Sequence, residues 1–258
     1  MSLPVVVLGC LLAGSGIGFL GGLLGLGGGL IAIPVLGLVL GMSQQMAQGT
    51  ALVMVLPTAL VAVRNYNRHA RIDFGVAAAG ALGAMSSTWV GARLALGMDP
   101  MLLRRGFAGF LFVVGLYAVW QVWRRKRRPP LPGRRAAPPL NRAHAALLGV
   151  ASGTLGGFFG VGGVLLVVPL MTTVYRLPQT TAQALALAMV IPGCFVALAT
   201  YAWGGQTDWA AGVALAAGSL LCVHRGVRLA YRMPEAALRM VFASMLFCTV
   251  LLLLYASA

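Results

Sequence analysis

Apolar residues run along this chain in long blocks, and the polar residues gather between them. Stretches 106–123, 180–203 and 240–254 hold no charged side chain. A helix crossing a bilayer needs about 20 predominantly apolar residues. The pattern therefore predicts an all-α polytopic membrane protein. In the first half the blocks are roughly 3–40, 45–63, 73–92 and 104–123, and in the second 143–175, 180–203, 208–224 and 238–256. Each half offers one long segment broken by glycines and then three ordinary spans, giving about 8–10 helical membrane segments in total.

The breaks are "GGLLGLGGGLIAIP" at 21–34 and "GGFFGVGGVLLVVP" at 156–169. Each broken segment is too long for one helix, and each of its arms is short for a full span. It is either a helical hairpin that dips in and returns, or two short crossings. Shifting the chain by 135 positions lays 21–119 on 156–254 without a gap, with about a third of the positions identical. Gly25 falls on Gly160, Pro34 on Pro169, Gln44 on Gln179, Gln48 on Gln183, Asp73 on Asp208 and Arg93 on Arg228. Duplicated halves with a site at their interface are a common plan of secondary transporters. The domains expected are a first transmembrane repeat at 1–123, a basic proline-rich linker at 124–142 and a second repeat at 143–258.

Composition agrees with the pattern, since 60% of residues are hydrophobic and 9% charged, whereas soluble domains carry about a quarter charged residues. A net charge of +15 suggests nucleic acid at first, but eight of the nineteen Lys and Arg residues lie between Arg124 and Arg142. That distribution is the positive-inside bias of a membrane protein and places the linker in the cytoplasm. Equivalent loops carry opposite bias: "RNYNRHAR" (64–71) is basic, whereas "YAWGGQTDW" (201–209) has no basic residue and Arg225, Arg228 and Arg232 follow the next span. Opposite bias predicts inverted repeats, although Arg93, Arg104 and Arg105 dilute the signal. The expected location is the cell (inner) membrane, in a multi-pass arrangement.

Several chemistries find no support. Cys10, Cys194, Cys222 and Cys248 form no CxxC pair, and His69, His144 and His224 are isolated, so no metal is expected. The match of Gly16, Gly18 and Gly21 to GxGxxG lies inside a hydrophobic span, and no Lys-Ser or Lys-Thr follows the glycine clusters. No paired carboxylates or nucleophile–base set suggests an enzyme, and no cofactor is expected. Asp73 and Asp208 open spans where a carboxylate caps a helix.

The glycine turns themselves are candidate chemistry. Glycine permits a tight turn, and the helix beginning after it presents unpaired N–H groups and a positive dipole end to an anion. Candidate substrate-binding residues are therefore Gly27, Gly28 and Gly29 in one half and Gly162 and Gly163 in the other. Close packing of helices on small residues is the competing reading for any single glycine. Gln44 and Gln48 share one helix face at i, i+4, as do Gln179 and Gln183, and with Thr50 they complete the candidate set. Gln44 and Gln179 serve equally well as caps at the interface, so Gln48 and Gln183, one turn deeper, are favoured.

"GLGGGLIAIP" and "GVGGVLLVVP", one per half and followed in the first half by "QQMAQGTA", resemble the duplicated signature of the sulfite exporter TauE/SafE family, also called toluenesulfonate uptake permeases. The resemblance covers nearly the whole chain. It implies a carrier of small sulfur-containing or organic anions, with the Gly25–Gly29 and Gly160–Gly163 turns lining the site. Members often show a Thr-Ser pair early in the following helix. Here the first half has Thr50-Ala51 and the second Leu185-Ala186, which predicts a less polar or less symmetric site. The function expected is alternating-access transport of a small anion, sulfite or an organosulfonate, in a lipid bilayer, with the coupling ion (proton or sodium) left open. A passive anion channel and a carrier of a non-sulfur organic anion are the alternatives.

Overall fold

The computed structural model describes residues 3–67, 73–127, 140–161 and 163–255. Among them the chain forms ten α-helices and no strand. The first half gives α1 (Leu3–Leu24), α2 (Gly29–Val39), α3 (Gln44–Asn67), α4 (Phe74–Leu96) and α5 (Pro100–Arg127). The second gives α6 (Arg142–Phe159), α7 (Val164–Thr173), α8 (Gln179–Trp203), α9 (Trp209–Arg232) and α10 (Glu235–Tyr255). The 135-residue shift carries α1 to α5 onto α6 to α10 in order. Each glycine-broken block is thus two helices, and each half has five. Gly162, most of the 124–142 linker, and Arg68, His69 and Arg71 of the first basic loop lie outside the described residues.

Length separates the helices physically. α3, α5, α8, α9 and α10 are each long and apolar enough to cross a membrane. α2 has 11 residues and α7 has 10. At 1.5 Å per residue they reach only ~16 Å, about half the hydrocarbon thickness. The break before α2 is set by Gly25, Gly27 and Gly28 at φ +66°, +67° and +89°, and that before α7 by Gly160 and Gly163 at +70° and +69°. Side chains clash in this region, so glycine is what allows the turn. Pro34 and Pro169 sit inside the short helices, where each removes one ladder bond.

The halves interlock. α1 lies along α9 and α6 along α4. Gly14, Gly18 and Gly22 press on Leu215, Ser219 and Val223, while Gly149, Gly153 and Gly157 press on Gly80, Ala84 and Thr88. Both sets recur every fourth residue, and their partners advance in step, so each pair is parallel. Without a hydrophobic drive between helices in lipid, such small-residue seams let backbones approach for dispersion contact. α3 and α8 cross the centre in opposite directions: Gln48 near the start of α3 meets Tyr201 near the end of α8, and Tyr66 near the end of α3 meets Gln183 near the start of α8. α3 also lies on α9, where the hydroxyls of Thr58 and Ser219 are 2.7 Å apart. Asp73 and Asp208 are N-caps as expected, accepting from Gly75 N and Val76 N and from Ala211 N.

The seams yield a direct test. A Cβ at Gly153 would stand 2.7 Å from Ala84 Cα, whereas one at Gly109 would meet nothing within 4 Å. Gly153→Val should lose about 1–3 kcal/mol through overpacking and Gly109→Ala should be neutral or slightly stabilising. Thermal unfolding of the two detergent-purified variants against the unaltered protein checks both.

Candidate substrate site

The central feature is built from two glycine turns, each covered by a glutamine of the other half. A Cβ at Gly25 would lie 2.7 Å from the Cβ of Gln183, and one at Gly160 would lie 2.7 Å from that of Gln48. Only a glycine backbone tolerates so close a crossing. The two turns also approach one another, since a Cβ at Gly29 would be 3.6 Å from Gly160 O. Gln48, Gln183, Tyr66 and Tyr201 are all fully buried here.

In one half-site both amide atoms of the glutamine are hydrogen-bonded. The last carbonyls of α1 have no partner in their own helix, and the end of α3 and the start of α8 supply one. Tyr66 Oη lies 2.9 Å from Gly22 O and 3.0 Å from Gln183 Oε1, and Gln183 Nε2 donates to Leu24 O at 2.7 Å. That last bond fixes the amide orientation, because a carbonyl can only accept. Tyr66 therefore donates to Gln183. In the other half-site Tyr201 Oη lies 2.7 Å from Gln48 Oε1 and 3.0 Å from Gly157 O. Gln48 Nε2, however, has no hydrogen-bond partner. Two half-sites of the same design thus differ by one donor.

The structure sets Gln183 against Gly25 and Gln48 against Gly160, with Gly29 beside Gly160 O; Gly27 meets Val55 and Ala59, and Gly162 lies outside the described residues. Gly28 abuts Ile17 and Met54, and Gly163 abuts Ser152. Thr50 points elsewhere: its Oγ1 accepts from Asp208 N at 2.9 Å and ties α3 to the start of α9. Gln44 and Gln179 are the first residues of α3 and α8, and both are buried. In α3 the capping contact belongs to Ser43, whose Oγ accepts from Met46 N at 3.3 Å. Gln179 lines a small cavity with Gln121, Thr172 and Arg239. Arg239 is itself buried and pairs with Glu235 at 3.3 Å.

Two features were not anticipated from sequence. The tyrosines are one; Tyr66 and Tyr201 are related by the 135-residue shift, and a polar aromatic repeated at the end of an apolar span is the signal that could have found them. The second is an open pocket of about 690 Å³ at the amino end of α3, lined by Ser43, Gln45, Arg93, Gly97, Pro100 and Gln206. Its lining comes from three loops distant in sequence, which no local pattern reveals.

Long apolar helices wrapped around a buried polar centre define a multi-pass membrane protein built on the transporter plan. The profile of the family described as "Sulfite exporter TauE/SafE" matches residues 10–253, and the chain belongs to that family; it is a membrane transporter. It is 25% identical over 239 residues to the "Probable membrane transporter protein YunE" of Bacillus subtilis (strain 168), with 85% of each chain covered. It is 28% identical over 232 residues to a "Probable membrane transporter protein" of Xylella fastidiosa (strain 9a5c), covering 85% of this chain and 84% of that one. No solved structure matches the chain.

Removing a tyrosine hydroxyl tests the crossed contacts. Tyr66→Phe leaves Gln183 Oε1 buried without a donor and should cost about 1–3 kcal/mol. A lower unfolding temperature in detergent, absent in Tyr117→Phe, is the expected result.

Proposed function

We propose that this protein carries a small oxyanion, sulfite or an organosulfonate, by alternating access, with the substrate held between the two glycine turns. The observation that carries the reading is the convergence of both turns, each opening a short helix, on buried glutamine amides with no cation among them. Backbone N–H groups at the starts of α2 and α7, their dipole ends and the amide donors suit sulfonate or sulfite oxygens. An anion held this way avoids the cost of burying a lysine or arginine as its partner. The sulfur-containing substrate class rests on family membership.

We read the halves as inverted in the inner membrane. In support, α3 and its counterpart α8 run in opposite directions, and the carboxyl ends of α3 and α9 meet, where Tyr231 Oη donates to Tyr66 O at 3.0 Å. That end gathers Arg64, Arg225, Arg228 and Arg232, which the positive-inside rule sets in the cytoplasm. The pocket at the amino end of α3 then opens to the outer face.

Counterflow in proteoliposomes tests the function, with labelled sulfite, taurine and sulfoacetate against an unrelated cation. Saturable exchange of a sulfur oxyanion is expected. Gly28→Leu and Gly163→Leu should abolish it while leaving membrane insertion intact, because each fills a left-handed glycine position at the turn. Normal exchange in both variants would rule out the glycine site.

A further inference from the structure

We infer that the first two turns of α3, beneath the Arg93 pocket, form the receiving half-site for the oxyanion, with Gln48 Nε2 as the donor that takes it, while the Gln183 half-site is held shut. The inference rests on the anion-carrier reading above and adds which half binds and by what route.

The unsatisfied polar atoms point there. Buried polar side-chain atoms are nearly always hydrogen-bonded, so each exception calls for a cause. Gln44 Nε2, Gln45 Oε1 and Gln48 Nε2 all lack a partner, as does Thr207 Oγ1 on the facing loop. Gln44, Gln45 and Gln48 are 2%, 5% and 0% exposed. Thr207 packs on Gly49, where a Cβ would lie 2.8 Å from its hydroxyl. The three glutamines occupy one short stretch of α3 with Thr207 facing it, and Gln45 also lines the open pocket. Gln48 lies ~4.5 Å deeper along the axis. At the related position Gln183 has both amide atoms bonded.

The orphan on Gln48 is a donor. An amide can be placed in either orientation; Gln48 is taken in the orientation of its repeat-related partner. Gln183 must present oxygen to Tyr66 because its nitrogen faces Leu24 O. The matching arrangement gives Gln48 oxygen to Tyr201 and leaves N–H groups open, which suits an anion. Charge along the approach agrees. Arg93 lines the pocket, lying over the Trp89 ring at 5.4 Å, and Arg104 Nη2 donates to Met42 O at 3.4 Å beside the same turn. Asp99, between lining residues Met98 and Pro100, turns its carboxylate to cap α5, accepting from Met101 N and Leu102 N.

The experiment replaces the four native cysteines with serine and introduces Gln45→Cys, Gln48→Cys or Gln183→Cys singly. Each detergent-purified protein that elutes as a monodisperse species is treated with the anionic reagent 2-sulfonatoethyl methanethiosulfonate. The thiol at 48 should react at least tenfold faster than that at 183, and methanesulfonate or sulfate should slow it. Equal rates, a faster rate at 183, or reaction at 45 alone would overturn the inference whatever the carrier transports. Fast reaction at 48 without protection by either anion, or by taurine, would instead overturn the oxyanion reading itself. A second readout uses Gln48→Leu and Gln183→Leu: the rise in unfolding temperature with methanesulfonate should vanish in the first and persist in the second. Loss in both would show that the two half-sites bind alike and would overturn the asymmetry.

Discussion

A helix that ends inside lipid leaves carbonyl and amide groups that no solvent can satisfy, and the centre of this protein is arranged around that constraint. Glycines at 25, 27 and 28 and at 160 and 163 stop α1 and α6. The exposed carbonyls are then met from both halves: Gln183 of the second half donates to Leu24 O, while Tyr66 and Tyr201 approach Gly22 O and Gly157 O from within their own halves. The break in the first half is thus met partly from within and partly by a glutamine of the second. The two copies contribute unequally across the centre, since Leu24 O takes its donor from the second copy whereas Gln48 makes no equivalent bond to it.

The same constraint explains the two uses of glycine within one short stretch. Gly25, Gly27 and Gly28 are needed for backbone conformation, but Gly22 is needed for contact, as it presses on Val223 of α9. Turn and seam are continuous because α1 must lie tight on α9 up to the point where it breaks. The packing reading and the turn reading of the glycines are both correct, at different residues.

Much of this was legible in the sequence because it is written as a period or a repeat. The apolar blocks gave spans, the 135-residue shift gave equivalent helices, and the i, i+4 glutamines gave Gln48 and Gln183 at the glycine turns. The Thr50 contact is not written locally: its hydroxyl accepts from the backbone N–H of Asp208, 158 residues away in the chain. Tyr66 and Tyr201 escaped notice because each closes an otherwise ordinary apolar span, and their role exists only once α3 and α8 cross. The pocket beside Arg93 was illegible for the same reason, being made where three loops meet.

The break in symmetry bears on how such a structure could move. Gln183 holds Leu24 O, and Gln48 holds no equivalent carbonyl. In an exchange of roles between the halves, Gln48 would gain a carbonyl as Gln183 released one, so the number of bonds would stay constant. Two states that differ by which of two equivalent bonds is made lie close in free energy. A ligand shifts such a balance only by its differential affinity for the two states. One charge-assisted hydrogen bond, worth about 1.5–3 kcal/mol, made to the open amide alone, is differential by construction. That is the scale on which a carrier must work, because a substrate that bound both half-sites equally would move neither.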